Sequence, residues 1–177
     1  ANNIHAEART LSELLGGKKY EVDYFQREYK WEQKHIEQLL TDLEAAFLAN
    51  YHEDHAINAV NTYNCYYMGP IVICDKKVSR SIVDGQQRLT SMTLLLIYLN
   101  NLQKDNSDPE DLERLIYSKK HGKKSYNIEV PDRTPILEAL FFDQDFKVED
   151  ENDESVKNMY ERYCDIKRSF SAEIGRA

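Results

Sequence analysis

The chain has 177 residues, 41% of them hydrophobic and 31% charged, and its 31 acidic against 23 basic residues leave a formal charge of −8. That length buries a core without disulfides or metals, and the composition excludes wholesale disorder. The acidity disfavours a surface that grips polyanions everywhere, because phosphate contacts supply most of that affinity.

Thr10 and Glu13 stand at capping-box spacing ahead of Gly16-Gly17, so residues 10 to 15 read as a short helix. KYEVDYF, 19 to 25, reads as a strand leading into QREYKW. From about Trp31 to Leu48, Ile36, Leu39, Leu40, Leu43, Ala46 and Phe47 recur at helical spacing among polar residues, which predicts a half-exposed helix. YHEDHAINAVNTYN, 51 to 64, has no clean period and reads as a loop. YYMGPIVIC, 66 to 74, and SRSIV, 79 to 83, predict a hairpin. From Leu89 to about Leu102 the chain is apolar on nearly every face, which puts a buried helix at the centre.

Asp108 as cap and Pro109 at the first helical position predict a further helix through Leu112, Leu115 and Ile116. Lys119, Lys120, His121, Lys123 and Lys124 form a basic loop, YNIEVP a short strand and PILEALFF a short helix. The acidic run 142 to 155 reads as solvated loop, and 153 to 172 as a last helix carrying Val156, Met159, Tyr160, Tyr163 and Ile166. This order defines an α+β domain with a small sheet, a core over 1–103 and a helical extension over 104–177.

The apolar run MTLLLIYL falls far short of the roughly 20 residues that cross a bilayer. The opening ANNIHAEART lacks a basic-then-apolar leader pattern. A cytoplasmic location and no membrane partner are expected. Cys65, Cys74 and Cys164 have neither metal-site nor disulfide spacing and read as buried thiols. A start without Met and an end inside a helical pattern read as a fragment of a longer protein.

IVDGQQRLTSM, 82 to 92, carries the chemistry. The strand ends at Val83, Asp84-Gly85 turns the chain, and Gln86 to Arg88 form the first turn of the buried helix. A helix start presents unpaired backbone N–H groups and about half a positive charge, and glycine lets a phosphate come close. Arg88 adds a planar fork of donors, Gln86 and Gln87 add amides, Thr90 and Ser91 add hydroxyls, and Asp84 is placed to hold magnesium or water. Gln26-Arg27, flanked by Tyr24, Phe25, Tyr29 and Trp31, repeats the pairing of amide and guanidinium at another strand end, so the two ends are expected to face one pocket. The plainer alternatives are that Asp84 is an N-cap, Gly85 a turn, Arg88 and Arg27 surface ion pairs, and the aromatics a clamp seating the 31 to 48 helix. His52 and His55 form a weaker metal candidate, and so do Asp143 and Asp145. Cys74 has no neighbouring cation to activate it and reads as core.

FQREYKW, followed by YYMGPIVI and IVDGQQRLTSMTLLLIYL, is similar to the N-terminal domain of GmrSD-type modification-dependent restriction enzymes, a family marked by DGQQR. The resemblance covers about residues 10 to 103. It implies a ParB/sulfiredoxin-like fold, with a small mixed sheet around a buried central helix and additional C-terminal helices. It further implies a nucleoside-triphosphate site in which Gln26, Arg27, Gly85, Gln86, Gln87, Arg88 and Thr90 bind the nucleotide. Asp84, Arg88, Gln87 and Arg27 then carry catalysis, with magnesium on Asp84. The implied activity is that of a nucleoside-triphosphate phosphohydrolase or NTP-dependent endonuclease in phage defence. Its DNA is held through a fuller chain or a local basic patch, with an HNH-type nuclease domain downstream. Two features depart from the pattern: Asp23 and Phe25 replace the usual proline and tyrosine before Gln26-Arg27. Gln86 and Gln87 fill the span where sulfiredoxins carry a nucleophilic cysteine, which excludes thiol chemistry at this loop. A non-catalytic module sensing nucleotide or modified DNA, and a structural interaction domain, are the alternative readings.

Overall fold

Reciprocal capping closes the first helix of the computed structural model, which describes residues 3–120 and 123–174. In α1 (Leu11–Leu15), Glu13 N–H donates to Thr10 Oγ1 at 3.1 Å and Thr10 N–H donates to Glu13 Oε2 at 2.8 Å. Strand β1 (Tyr20–Val22) is shorter than expected, because the Asp23 carboxylate accepts from Phe25 N–H at 3.0 Å and winds Tyr24–Gln26 into a 3-10 turn. Helix α2 (Gln33–Leu48) buries Ile36 and Leu39 and leaves Phe47 exposed. Within the expected 51 to 64 loop, Ile57–Thr62 forms a 3-10 helix. The expected hairpin follows as β2 (Val72–Asp75) antiparallel to β3 (Arg80–Asp84).

Helix α3 (Gln86–Leu102) is buried without a break from Leu89 to Tyr98. Next come α4 (Glu113–Ile116), β4 (Tyr117–Lys120), β5 (Lys123–Tyr126), β6 (Ile128–Glu129), α5 (Thr134–Phe141) and α6 (Glu154–Ile174). The helix expected from Pro109 begins only after Leu112. Gln103 accepts from Glu110 N–H at 2.9 Å and donates to its carbonyl at 2.7 Å, which holds the chain before α4 out of helical geometry. The basic stretch is not simply a loop: β4 and β5 pair antiparallel, with Tyr117 opposite Tyr126 and Lys119 opposite Lys124. Lys124 Nζ lies 4.1 to 4.3 Å from the centroids of the Tyr117, Phe141 and Phe142 rings, which supply the cation with a face to rest on. His121 lies outside the described residues.

The four-stranded sheet has the order β2-β3-β1-β6. Strand β1 runs parallel to β3, with Val22 beside Ile82, and parallel to β6, with Tyr20 beside Ile128. With β2 antiparallel at one edge the sheet is mixed, as the fold class predicts. The edge position also corrects the reading of Cys74, which faces solvent on β2; Cys65 is exposed too, and Cys164 is half-buried. Helix α3 packs against α4, α5 and α6, and α6 also covers α2. Residues beyond 103 thus supply one strand of the sheet and the helix that shields both central ones. No helix among the described residues is long and apolar enough to cross a membrane.

Buried Asn127 ties these parts together. Its amide donates to the carbonyls of Leu15 and Arg114, each at 2.9 Å, and accepts from Ser118 Oγ at 2.8 Å. Its backbone carbonyl accepts from Tyr20 N–H at 2.7 Å and sets β6 beside β1.

Candidate functional site

Three strands, β3, β1 and β6, run in one direction and end at the same edge, at Asp84, Val22 and Glu129. Ligands of α/β sheets bind outside such carboxyl ends. After β3 comes Gly85, the N-cap of α3, with φ 94°. The left-handed backbone requires glycine; a Cβ here would also stand 2.4 Å from the flexible end of Ile71, at Cδ1, and 3.4 Å from the Pro70 carbonyl oxygen. No side chain caps α3. Asp84 therefore does not serve as the cap; its side chain is exposed at the strand end.

The two glutamine amides turn inward onto the other motif. Gln86 Nε2 donates to the Glu28 carbonyl at 2.7 Å and Gln87 Nε2 to the same oxygen at 2.5 Å, while Gln87 Oε1 accepts from Lys30 N–H at 2.8 Å. Between them sits Tyr29, fully buried, its hydroxyl 2.8 Å from Ser91 Oγ. Ser91 Oγ donates to the Gln87 carbonyl, which leaves it to accept from Tyr29. Burial pushes the Tyr29 phenol far above the usual tyrosine range, so this hydroxyl stays a neutral donor. From the opposite side, Ser155 Oγ accepts from Tyr29 N–H, Asn158 donates to the Tyr29 carbonyl and Arg162 donates to the Trp31 carbonyl. The segment 28–31 is thus clamped between α3 and α6, and Tyr29 and Trp31 act as the aromatic seat. We expect Gln87→Ala to cost about 1 kcal/mol overall and to speed amide hydrogen exchange at Lys30. Unchanged exchange there would mean that the clamp does not depend on Gln87.

Charge marks the site more sharply than shape does. Of the arginines described, Arg9, Arg80, Arg114, Arg162 and Arg168 each pair with a carboxylate, whereas Arg27, Arg88 and Arg133 have none within 4.0 Å among the described residues. In a chain with eight more acids than bases this is selective. The ion-pair alternatives for Arg27 and Arg88 do not hold. Arg88 Nη1 donates to the Pro70 carbonyl at 3.3 Å, and Gly69 makes room for it, since a Cβ there would stand 2.6 Å from that nitrogen. Half-buried Arg27 donates through Nε to the Val22 carbonyl at 3.4 Å and lies 5.4 Å over the Tyr24 ring. Arg88 thus leans toward the β2 flank, while Arg27 stays over the end of β1, between Val22 and Tyr24. Gln26 is exposed on the 3-10 turn, and Thr90 is buried in the first turns of α3.

Arg133 was not visible as a site residue in the sequence. It follows the third parallel strand, in Pro131-Asp132-Arg133, and is 4% exposed. One signal was available. Asp23-Tyr-Phe-Gln-Arg27 and Asp84-Gly-Gln-Gln-Arg88 are two copies of one spacing, each directly after a parallel strand, and Asp132-Arg133 repeats the acid-then-arginine order after the next.

Among the described residues no cluster of three His, Cys, Asp or Glu is placed to hold a metal. Asp84 alone fits magnesium only in the way that ion commonly binds, with phosphate oxygens and water completing its shell. His52 and His55 pack edge to face at 5.0 Å, and His55 Nδ1 shares a 2.9 Å hydrogen bond with the Tyr63 hydroxyl.

Fold and site together define an α+β domain whose parallel strand ends carry arginines without acidic partners. The chain belongs to the family of the GmrSD restriction endonuclease N-terminal domain, whose sequence model matches residues 11–173. The match runs well past the motif-bearing first half and through most of α6. No individually curated protein matches the chain.

Proposed function

We propose that this domain binds a nucleoside triphosphate at the ends of its parallel strands and hydrolyses it as part of a restriction system directed at DNA. The observation that supports this reading is the pair Arg27 and Arg88, which lack acidic partners and flank an uncapped helix start with glycine at its N-cap. Guanidinium groups held without carboxylates call for an anion, and phosphate oxygens match their fork. Tyr24 and Phe25, 74% and 92% exposed and edge to face at 5.7 Å, offer a surface on which a base can stack.

Phosphoryl transfer depends mainly on positioning and charge neutralisation. Arg88 and Arg27 neutralise phosphate charge, and exposed Asp84 is free to orient a water or a magnesium ion carried in with the phosphates. Gln86 and Gln87, bonded to the backbone of Glu28 and Lys30, act as positioning residues for the Arg27 segment. Contact with DNA falls to the lysines of β4 and β5 or to further parts of the protein, among them an HNH-type nuclease domain, since the acidic surface as a whole repels a polyanion.

Nucleotide binding and magnesium-dependent turnover of this chain, of Arg88→Ala and of a version extended past Ala177 test the reading. The variant is expected to lose affinity by about 10- to 100-fold, the worth of a charged hydrogen bond. Binding without turnover in any form favours a sensor. No binding, even by the extended chain, leaves an interaction domain.

A further inference from the structure

Arg133 is buried as deeply as a structural arginine but is not partnered like one. Arg162 provides the comparison. It is 8% exposed, its Nε donates to Asp165 at 2.7 Å and its Nη1 to the Trp31 carbonyl at 2.9 Å. Arg133, at 4%, donates no side-chain hydrogen bond among the described residues and has no carboxylate within 4.0 Å. A guanidinium carries five donors, and buried donors are normally satisfied. Its nitrogens are not among the unpartnered atoms sealed from solvent, which are Gln86 Oε1 and Asn101 Oδ1, so the head of the side chain still opens outward.

Its neighbours sharpen the point. Burial lowers the Arg133 pKa; the charge of Asp153 raises it, that of Arg27 lowers it, and Tyr29 and Asp132 raise it. Arg27 follows β1 and Arg133 follows β6, the strand paired with it, so the two cations stand after neighbouring strand ends, with Asp153 the main opposing charge but, among the described residues, no carboxylate within 4.0 Å of either. Strand spacing places the ends of β3 and β6 on either side of β1, roughly 10 Å apart. The α3 start with Arg88 lies toward one side of this row and Arg133 at the other, with Arg27 between. That is longer than one tetrahedral phosphate and within reach of a linked pair or triplet.

We infer that Arg133 and Arg27 form a second phosphate subsite, so that the strand ends take a polyphosphate chain rather than a single phosphate. This rests on the nucleotide reading above for the first subsite, at Arg88 and the α3 start. It adds a residue outside both glutamine-arginine motifs, and a preference set by phosphate chain length.

Calorimetric titration of the chain with orthophosphate, pyrophosphate and tripolyphosphate tests it, alongside Arg133→Met, Arg27→Met and Arg88→Ala, with Tm measured for each. Arg133→Met is expected to weaken pyrophosphate and tripolyphosphate binding at least about tenfold, to leave orthophosphate binding unchanged, and to keep or raise Tm, because an unpaired buried charge is removed. Unchanged polyphosphate affinity together with a lowered Tm makes Arg133 structural and overturns the inference, while loss in Arg88→Ala still upholds the first subsite. An equal loss for orthophosphate merges the two subsites into one and also overturns it. If Arg133→Met does not fold, Arg27→Met reads the same subsite from a half-buried position, and unchanged polyphosphate binding there overturns it as well. Failure of the unaltered chain to bind any of the three anions removes both readings.

Discussion

Gly85→Ala is expected to destabilise the domain by about 1–2 kcal/mol, read as a shift in the denaturant midpoint at constant slope. The cost is that of placing a side chain in the left-handed region, at φ 94°. The new methyl would stand 2.4 Å from Ile71 Cδ1, but that atom ends a flexible side chain that can turn aside, while the backbone of Ile71 and Pro70 stays 3.4 Å away. A loss below about 1 kcal/mol would show that the turn does not hold this geometry.

Signals confined to a few neighbouring residues were readable, and those that depend on distant partners were not. The capping box of α1, the period of α2 and the unbroken apolar run of α3 each announce an element within one or two turns of chain. The place of β6 beside β1 depends on Asn127 meeting Tyr20 and Leu15, contacts that no local pattern encodes. The pairing of β4 with β5 was hidden because lysines dominate both strands; the cation of Lys124 is accommodated by aromatic faces from Tyr117 on β4 and from Phe141 and Phe142 at the end of α5. Cys74 looked like core because VIC is apolar, yet β2 is an edge strand.

The candidate site divides in the same way. DGQQR stood out because an acid, a glycine, two amides and an arginine interrupt an apolar stretch. That the amides bind the backbone of Glu28 and Lys30 depends on a separation of more than fifty residues and became visible only in three dimensions. Arg133 escaped notice because no amide precedes it. What distinguishes it is that, though buried, it has no carboxylate within 4.0 Å and donates no side-chain hydrogen bond among the described residues, a property of the fold rather than of the segment.

Asp165→Ala is expected to produce a second large loss, about 3–5 kcal/mol. The carboxylate is 5% exposed, accepts from Arg162 Nε at 2.7 Å and also binds Arg168. Its removal leaves Arg162 buried without its closest counter-charge, and breaking one side of a buried pair is far more damaging than replacing both. Combining Asp165→Leu with Arg162→Met is therefore expected to recover most of the stability. Recovery of binding is expected to be smaller, because Arg162 also donates to the Trp31 carbonyl at the end of the segment that carries Arg27. A double-mutant cycle, with urea midpoints for stability and pyrophosphate titration for binding, separates the two effects. If the double variant stays as unstable as Asp165→Ala, the loss comes from α6 packing rather than from stranded charge; if its pyrophosphate affinity returns fully, the hold of Arg162 on Trp31 does not shape the site.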